Sequence, residues 1–288
     1  MFAVFGGTGR IGGATIRALR EAGAPVRAIV RDGHRAGQLE ALGCEIDVAD
    51  LRDPAAIAAA IEGATAVQVF VPVAPQPPDA VTEMNGAVDA IADALRASPP
   101  PTVLAISDYG AEVDGPTGIT RTFHHLEARL RDLPSAVTFL RSAEHMQNWA
   151  RQAPAAVETG TLASLHQPLT KRFPTVSAPD VGVVAAALLL DDGAAPRVIN
   201  VEGPRRYTAL DVAAALGELT GREVVARELP REQWSMALER GGVGASYAAL
   251  VTELFDAHNA GLIGAEDGWE IRQGTTELRD VLASLVGR

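Results

Sequence analysis

The sequence predicts an α/β fold: a doubly wound parallel sheet with a smaller, mostly helical C-terminal lobe. Three observations predict it. Short apolar runs alternate with helix-period runs over the first two hundred residues, the rhythm of a parallel sheet with crossover helices. A glycine turn, "GGTGRIG" at 6–12, separates the first strand from the first helix. From about residue 204 the alternation gives way to successive helices.

The bulk numbers fit this and exclude other classes. Hydrophobic residues make up 47% and charged residues 21% of the 288-residue chain, ordinary for a protein with a substantial core. A formal net charge of −11 argues against nucleic acid as a partner. The apolar run at 2–5 stops at Gly6, so no signal peptide is read. The run "VGVVAAALLL" (181–190) is too short to span a bilayer, so no membrane partner is read and a cytoplasmic location is expected. A single cysteine, Cys44, excludes an internal disulfide framework and reads as a buried, inert thiol. Lys171 is the only lysine.

Taken in order, "FAVF" (2–5) is a buried strand, and from Ile11 to Ala22 the apolar spacing turns helical, with Gly23 as the stop. "PVRAIV" (25–30) and "CEIDVADL" (44–51) are the second and third strands. Asp53 and Pro54 start a helix that reaches Gly63. Strands follow at 66–71, 102–107, 136–141 and 197–203, with helices at 78–98, 121–133 and 179–192. Residues 142–176 are irregular, with a hairpin read within 159–173. Residues 1–141 with about 177–203 form the nucleotide-binding domain, and about 142–176 with 204–274 a lobe over the sheet. A terminal helix occupies 275–288.

Strand, glycine turn, helix, strand within about thirty residues is the context that gives the glycines a purpose. Gly6 makes the turn off the strand, Gly9 lets backbone approach a pyrophosphate, and Gly12 lets the helix pack close. The helix N-terminus offers N–H groups and partial positive charge to phosphates. At the end of the second strand, Arg31 and Arg35 suit a ribose 2′-phosphate, because guanidinium donates paired hydrogen bonds. Asp32 would instead serve a free 2′-hydroxyl if the strand ended one residue later. The balance favours NADP(H) over NAD(H).

"VFGGTGRIGGATIRALREAGAPVRAIVRD", "DVADLRD", "SDYGA", "EARLRDLPSAVTFLRSAEHMQNW" and "INVEGPRRYTALDVAAALGELTGREV" together resemble the NmrA-like family of atypical short-chain dehydrogenase/reductases, over essentially the whole chain. The resemblance implies a Rossmann domain binding NADP(H), with Gly6, Thr8, Gly9, Arg10, Ile11 and Gly12 at the phosphates and Arg31 at the 2′-phosphate. It implies Asp50 and Leu51 beside the adenine, and Val71 and Pro72 beside the nicotinamide ribose. The family includes NADPH-dependent reductases of quinones and other conjugated or carbonyl compounds, and dinucleotide-binding regulators without catalysis.

Ordinary short-chain dehydrogenases pair a tyrosine with a lysine four residues on. The tyrosines here, Tyr109, Tyr207 and Tyr247, are followed at that spacing by Val113, Asp211 and Val251, so no such pair exists. His124 and Tyr109 are the candidate catalytic groups: His124 from "FHHLE", where related reductases carry lysine or histidine at the position of Phe123, and Tyr109 from "SDYG" at a strand end. Against this, "FHHLE" can be a plain helix face, and Tyr109 can simply pack. Ser107 stands at the same strand end, as a cap or beside the cofactor. His125, His145, Met146, Asn148 and Trp149 are expected to line the substrate pocket. No ligand set for a metal is evident.

Two functions follow. One is an NADPH-dependent reductase passing hydride to a small quinone, enone or carbonyl-type acceptor, where cofactor and orientation carry most of the chemistry. The other is a non-catalytic NADP(H) sensor acting through a protein partner. A homodimer is compatible with either.

Overall fold

Apolar side chains that alternate along each strand divide between two helical layers. In the computed structural model, residues 1–72, 76–191, 197–264 and 269–286 are described, Arg35 and Arg197 by backbone alone. The elements run β1 (Phe2–Phe5), α1 (Arg10–Glu21), β2 (Val26–Val30), α2 (Gly37–Ala41), β3 (Glu45–Val48), α3 (Pro54–Ala60), β4 (Ala66–Phe70) and α4 (Ala80–Ala97). Next come β5 (Thr102–Asp108), α5 (Thr120–Leu130), β6 (Ala136–Ser142), β7 (Glu144–His145), α6 (Ala153–Thr159), β8 (Thr161–Ser164), β9 (Thr175–Val176), α7 (Ala178–Leu190) and β10 (Arg197–Glu202). The chain ends with α8 (Ala209–Thr220), β11 (Val225–Glu228), α9 (Trp234–Arg240), α10 (Ala245–Ala260), β12 (Ile271–Gln273) and α11 (Leu278–Val286).

The main sheet has eight strands in the order β3-β2-β1-β4-β5-β6-β10-β12, all parallel. β1 lies between β2 and β4, so the winding reverses beside it, and a crevice opens at the carboxyl ends of those strands. Ala3, Val67, Val69, Val103 and Ala105 point to the layer of α3, α4 and α5; Val4, Leu104 and Ile106 point to that of α1 and α7. Each fully buried Leu, Ile or Val there contributes roughly 1.5–3 kcal/mol. Helix starts follow local chemistry: Asp53 caps α3 with Pro54 behind it, and Asp79 caps α4.

α10 crosses between the two layers. Leu250 belongs to one core and Ala257 to the other, while Leu254 packs on both. Lys171 Nζ donates to the backbone carbonyls of His258 and Asn259, tying the 165–173 segment to the helix end. A third core, with Met146, Trp149, Leu162, Tyr207, Val212 and Leu282, joins α6, α8 and α11.

Three details depart from the sequence reading. β8 forms no hairpin; it pairs in parallel with β11, sixty-four residues on from Thr161 to Val225. Residues 271–273, read as part of the lobe, are the edge strand β12 of the main sheet. Cys44 is half-buried rather than enclosed, and burial pushes its thiol up.

Candidate active site

The turn after β1 is built from missing carbon atoms. Gly6 has φ +72°, and a Cβ on it would lie 2.8 Å from the Phe70 ring. The Gly9 N–H closes the turn on the Gly6 oxygen at 2.8 Å, and no side chain caps the start of α1. A Cβ on Gly12 would strike the Gly6 carbonyl oxygen and stand 2.9 Å from that of Phe5. The first turn of α1 therefore rests on the strand end, with its N–H groups and dipole facing the crevice. α7 presses α1 from behind at Gly182, where a Cβ would be 2.7 Å from that of Ala14. No sequence signal marks Gly182, which sits in a uniformly apolar run.

A cleft of about 840 Å³ opens over this turn. Thr8, Gly9, Arg10 and Ile11 wall its centre, and Pro72 and Gln68 stand on the β4 side. Arg31, Asp50, Leu51 and Arg52 stand at one end, His145 and Asn148 at the other. Asp32 also borders the cleft, but its Oδ1 accepts the His34 N–H at 3.0 Å and caps the short turn Gly33–Arg35. The Arg35 side chain lies outside the described residues. Arg52, which the sequence reading passes over, donates to Asp50 Oδ1 at 3.1 Å and Oδ2 at 2.9 Å. Those bonds hold the Asp50 carboxyl below its ordinary range. The pair is exposed, so its own stability is worth little and the guanidinium is easily redirected.

A second pocket of about 380 Å³ adjoins the first and shares Ile11, Phe70, Ile106, His145 and Asn148 with it. Phe123, Trp149, Tyr247 and Phe255 give it aromatic walls; Asp108, Glu144, His166 and His258 supply polar groups. Val71 and Ser107 border this pocket rather than the large cleft.

Burial sets the electrostatics. His145 Nε2 lies 3.0 Å from Ser142 Oγ, and desolvation lowers its pKa to about 4, so the ring is neutral at pH 7. His258 is likewise lowered to about 4 by burial. For Glu144, burial acts upward and is the largest single effect, but His166 at 2.9 Å, His258 and a hydrogen bond from Asn148 together hold the carboxyl below its ordinary range. Asp108 accepts a hydrogen bond from Thr120 Oγ1 at 2.7 Å. Burial, aided by Glu144 and Glu112 and opposed by Thr120, leaves its pKa pushed up to about 7.

Of the two expected catalytic groups, Tyr109 borders the second pocket with its hydroxyl turned to Glu202, and His124 lines neither cavity. On α5, Phe123 and Glu127 share the inward face, four residues apart, and this rotates the two histidines away. His124 Nδ1 sits 2.8 Å from the Ala111 oxygen; His125 Nε2 sits 3.0 Å from Asp89 Oδ1, which also corrects its expected place in the pocket. Tyr109 is 1% exposed, and its O–H donates to Glu202 Oε1 at 2.8 Å. Burial and the Glu202 charge push that phenol up, so it is a poor acid. The Ser107 hydroxyl donates to Glu127 Oε1 at 2.7 Å, and Arg141 binds the same carboxylate through Nε and Nη2 at 2.9 and 2.7 Å. Met146 is fully buried in the lobe core instead of lining a pocket. His145, Asn148 and Trp149 do line the second pocket. Among the described residues no group of three or more His, Cys, Asp or Glu is placed to hold a metal, and no helix is long and apolar enough to cross a membrane.

Asp108, Glu144, His166, His258 and Arg52 were missed. Asp108 and Arg52 carried a usable signal, each lying at or just past the end of a predicted strand, where such sheets bind ligands.

The chain matches the family model described as NAD(P)H-binding over residues 6–192. It is 32% identical over 256 residues to the NAD(P)H azoreductase of Xenophilus azovorans, spanning 88% of this chain and 86% of the relative. It is 24% identical over 255 residues to quinone oxidoreductase 2 of Escherichia coli (strain K12), with the same coverage. Among solved structures, the NADPH complex of the Escherichia coli NADPH-dependent quinone oxidoreductase matches with a TM-score of 0.83 at 22% identity, covering 99% of this chain and 100% of that one. The triphenylmethane reductase of Citrobacter sp. matches with a TM-score of 0.82 at 20% identity, covering 100% and 99%. These two likenesses establish the shared fold.

Proposed function

We propose that this chain, which belongs to the NAD(P)H-binding family and its NmrA-like group of atypical short-chain dehydrogenase/reductases, reduces flat aromatic acceptors of the quinone and azo type with NADPH. It is an NAD(P)H-dependent reductase. The observation that carries the acceptor reading is the shared wall: the dinucleotide cleft opens into a second, aromatic-lined pocket across Ile11, Phe70, Ile106, His145 and Asn148.

The residues present fit a dinucleotide. The glycine cradle leaves no room for a Cβ at Gly12, so backbone N–H groups of α1 face the cleft where a pyrophosphate would lie. Arg31 and Arg52 at the far end favour a 2′-phosphate, and Asp32 already serves as a cap. When bound, the nicotinamide supplies a hydride. The chain's part is to orient the acceptor and exclude water. Phe123, Trp149, Tyr247 and Phe255 suit a planar ring by size and apolarity, and α10 closes the pocket. Neutral His145 adds no charge beside the shared wall.

The test is steady-state oxidation of NADPH, with NADH in parallel, against quinones and azo compounds. Acceptor-dependent oxidation that prefers NADPH is expected. Arg31→Ala and Arg52→Ala should each raise KM for NADPH about tenfold while moving that for NADH about twofold at most, since a charge-assisted hydrogen bond is worth roughly 1.5–3 kcal/mol before solvent screening. Nucleotide binding without turnover across the panel would contradict the reading and favour a sensor.

A further inference from the structure

Asp108 is the last residue of β5, at the carboxyl end of the sheet, and its side chain borders the aromatic pocket. Three neighbouring hydroxyls are committed elsewhere, Tyr109 to Glu202, Ser107 to Glu127 and Ser142 to the Ala143 oxygen, and burial pushes the Tyr247 phenol in the same pocket up, making it a weaker acid than a carboxyl. Thr120, from α5, donates to Oδ2, and the Tyr109 backbone N–H also favours the carboxylate. Among the described residues no ion pair involves Asp108. The charged and titratable groups facing it are Glu144 from β7, Glu112 from the segment after β5, and Tyr247 from α10. His145 and His258 border the same space as neutral rings, His166 faces Glu144, and Arg151, just before α6, lines the pocket near Tyr247. The nearby Arg141 is engaged with Glu127 and Glu112. This setting disfavours a carboxylate and stores a proton.

We propose that Asp108 is the proton donor to the acceptor atom that receives the electron pair, and that this fits the enzyme to azo and enone acceptors as well as quinones. The assignment rests on the reductase reading above. For an azo group the atoms balance as follows. Hydride forms one N–H bond, and the N=N π pair moves to the second nitrogen. The Asp108 O–H proton forms the second N–H bond and leaves a carboxylate, which water reprotonates. The azo bond is reduced by two electrons to a hydrazine, and NADPH is oxidised by two. A quinone yields a stabilised oxyanion that solvent can protonate, so it depends far less on the acid. A nitrogen or carbon anion is strongly basic, and acid help there is worth about 10²–10⁴-fold.

Asp108→Asn keeps the shape and removes the acid. Azo reduction should fall about 10²–10⁴-fold, and quinone reduction by less than tenfold. In wild-type protein azo reduction should decline as pH rises past about 7, as the donor ionises. Thr120→Val removes a bond that favours the carboxylate, so it should move that decline to higher pH. Independently of turnover, infrared spectra of the nucleotide-free protein near neutral pH should show a protonated-carboxyl band that Asp108→Asn lacks. Unchanged NADPH affinity in the variant establishes that it folds. Equal loss with both acceptors, or an Asp108 already ionised well below neutral pH, would overturn the assignment. Wild-type protein that binds NADPH but oxidises it with neither quinones nor azo compounds would instead overturn the reductase reading and take this assignment with it.

Discussion

At Gly12 a single absent carbon decides where α1 can begin. A methyl group there meets the carbonyl oxygens of Gly6 and Phe5, which are backbone and cannot swing aside. Overpacking against fixed neighbours costs about 1–3 kcal/mol. Gly12→Ala should therefore weaken NADPH binding roughly tenfold to a hundredfold, read by nucleotide fluorescence titration, with the thermal transition lowered by only a few degrees. Unaltered affinity would mean that the turn does not hold the phosphates. The turn was legible in the sequence because its function depends on local backbone shape. The acid–base groups were not: His124, His125 and Tyr109 were singled out by type and position, yet helix rotation and a carboxylate 93 residues away settle their partners. Asp108 stood just past a predicted strand end in "SDYG", but its raised pKa was not legible there, since burial in the folded pocket is the main cause and Glu144 adds to it from another strand.

At the scale of elements, α5 is anchored to the sheet by a buried carboxylate. Glu127 is 1% exposed and takes hydrogen bonds from Ser107 on β5 and Arg141 on β6. Removing one partner of a buried pair leaves the other uncompensated, at about 3–5 kcal/mol. Glu127→Leu should lose that much stability in denaturant titration, whereas Phe123→Leu on the same face should lose far less and alter acceptor KM. A loss below about 1 kcal/mol would contradict the anchoring role. Strands and helices of the main sheet were legible because each carries its own period. The β8–β11 pairing was not, because "TLAS" and "VARE" are short and β9, α7, β10 and α8 lie between them in sequence. β12 was missed for a similar reason: three exposed residues at a sheet edge carry no hydrophobic pattern.

For the whole molecule, a doubly wound sheet fixes the cleft and a helical lobe fixes the pocket, and the two meet across five shared residues. The cleft could be read ahead of the structure, since it follows from strand order and one turn. The pocket could not, because α10 and the segment around Lys171 contribute its far wall from residues remote in sequence. The central claim is that an acceptor in this pocket meets one face of the nicotinamide. It is tested most directly by the kinetic isotope effect with NADPH deuterated at either of the two C4 positions, using a quinone acceptor. The account predicts slowed turnover with one diastereomer alone. Equal effects from both, or no turnover with either, would contradict it.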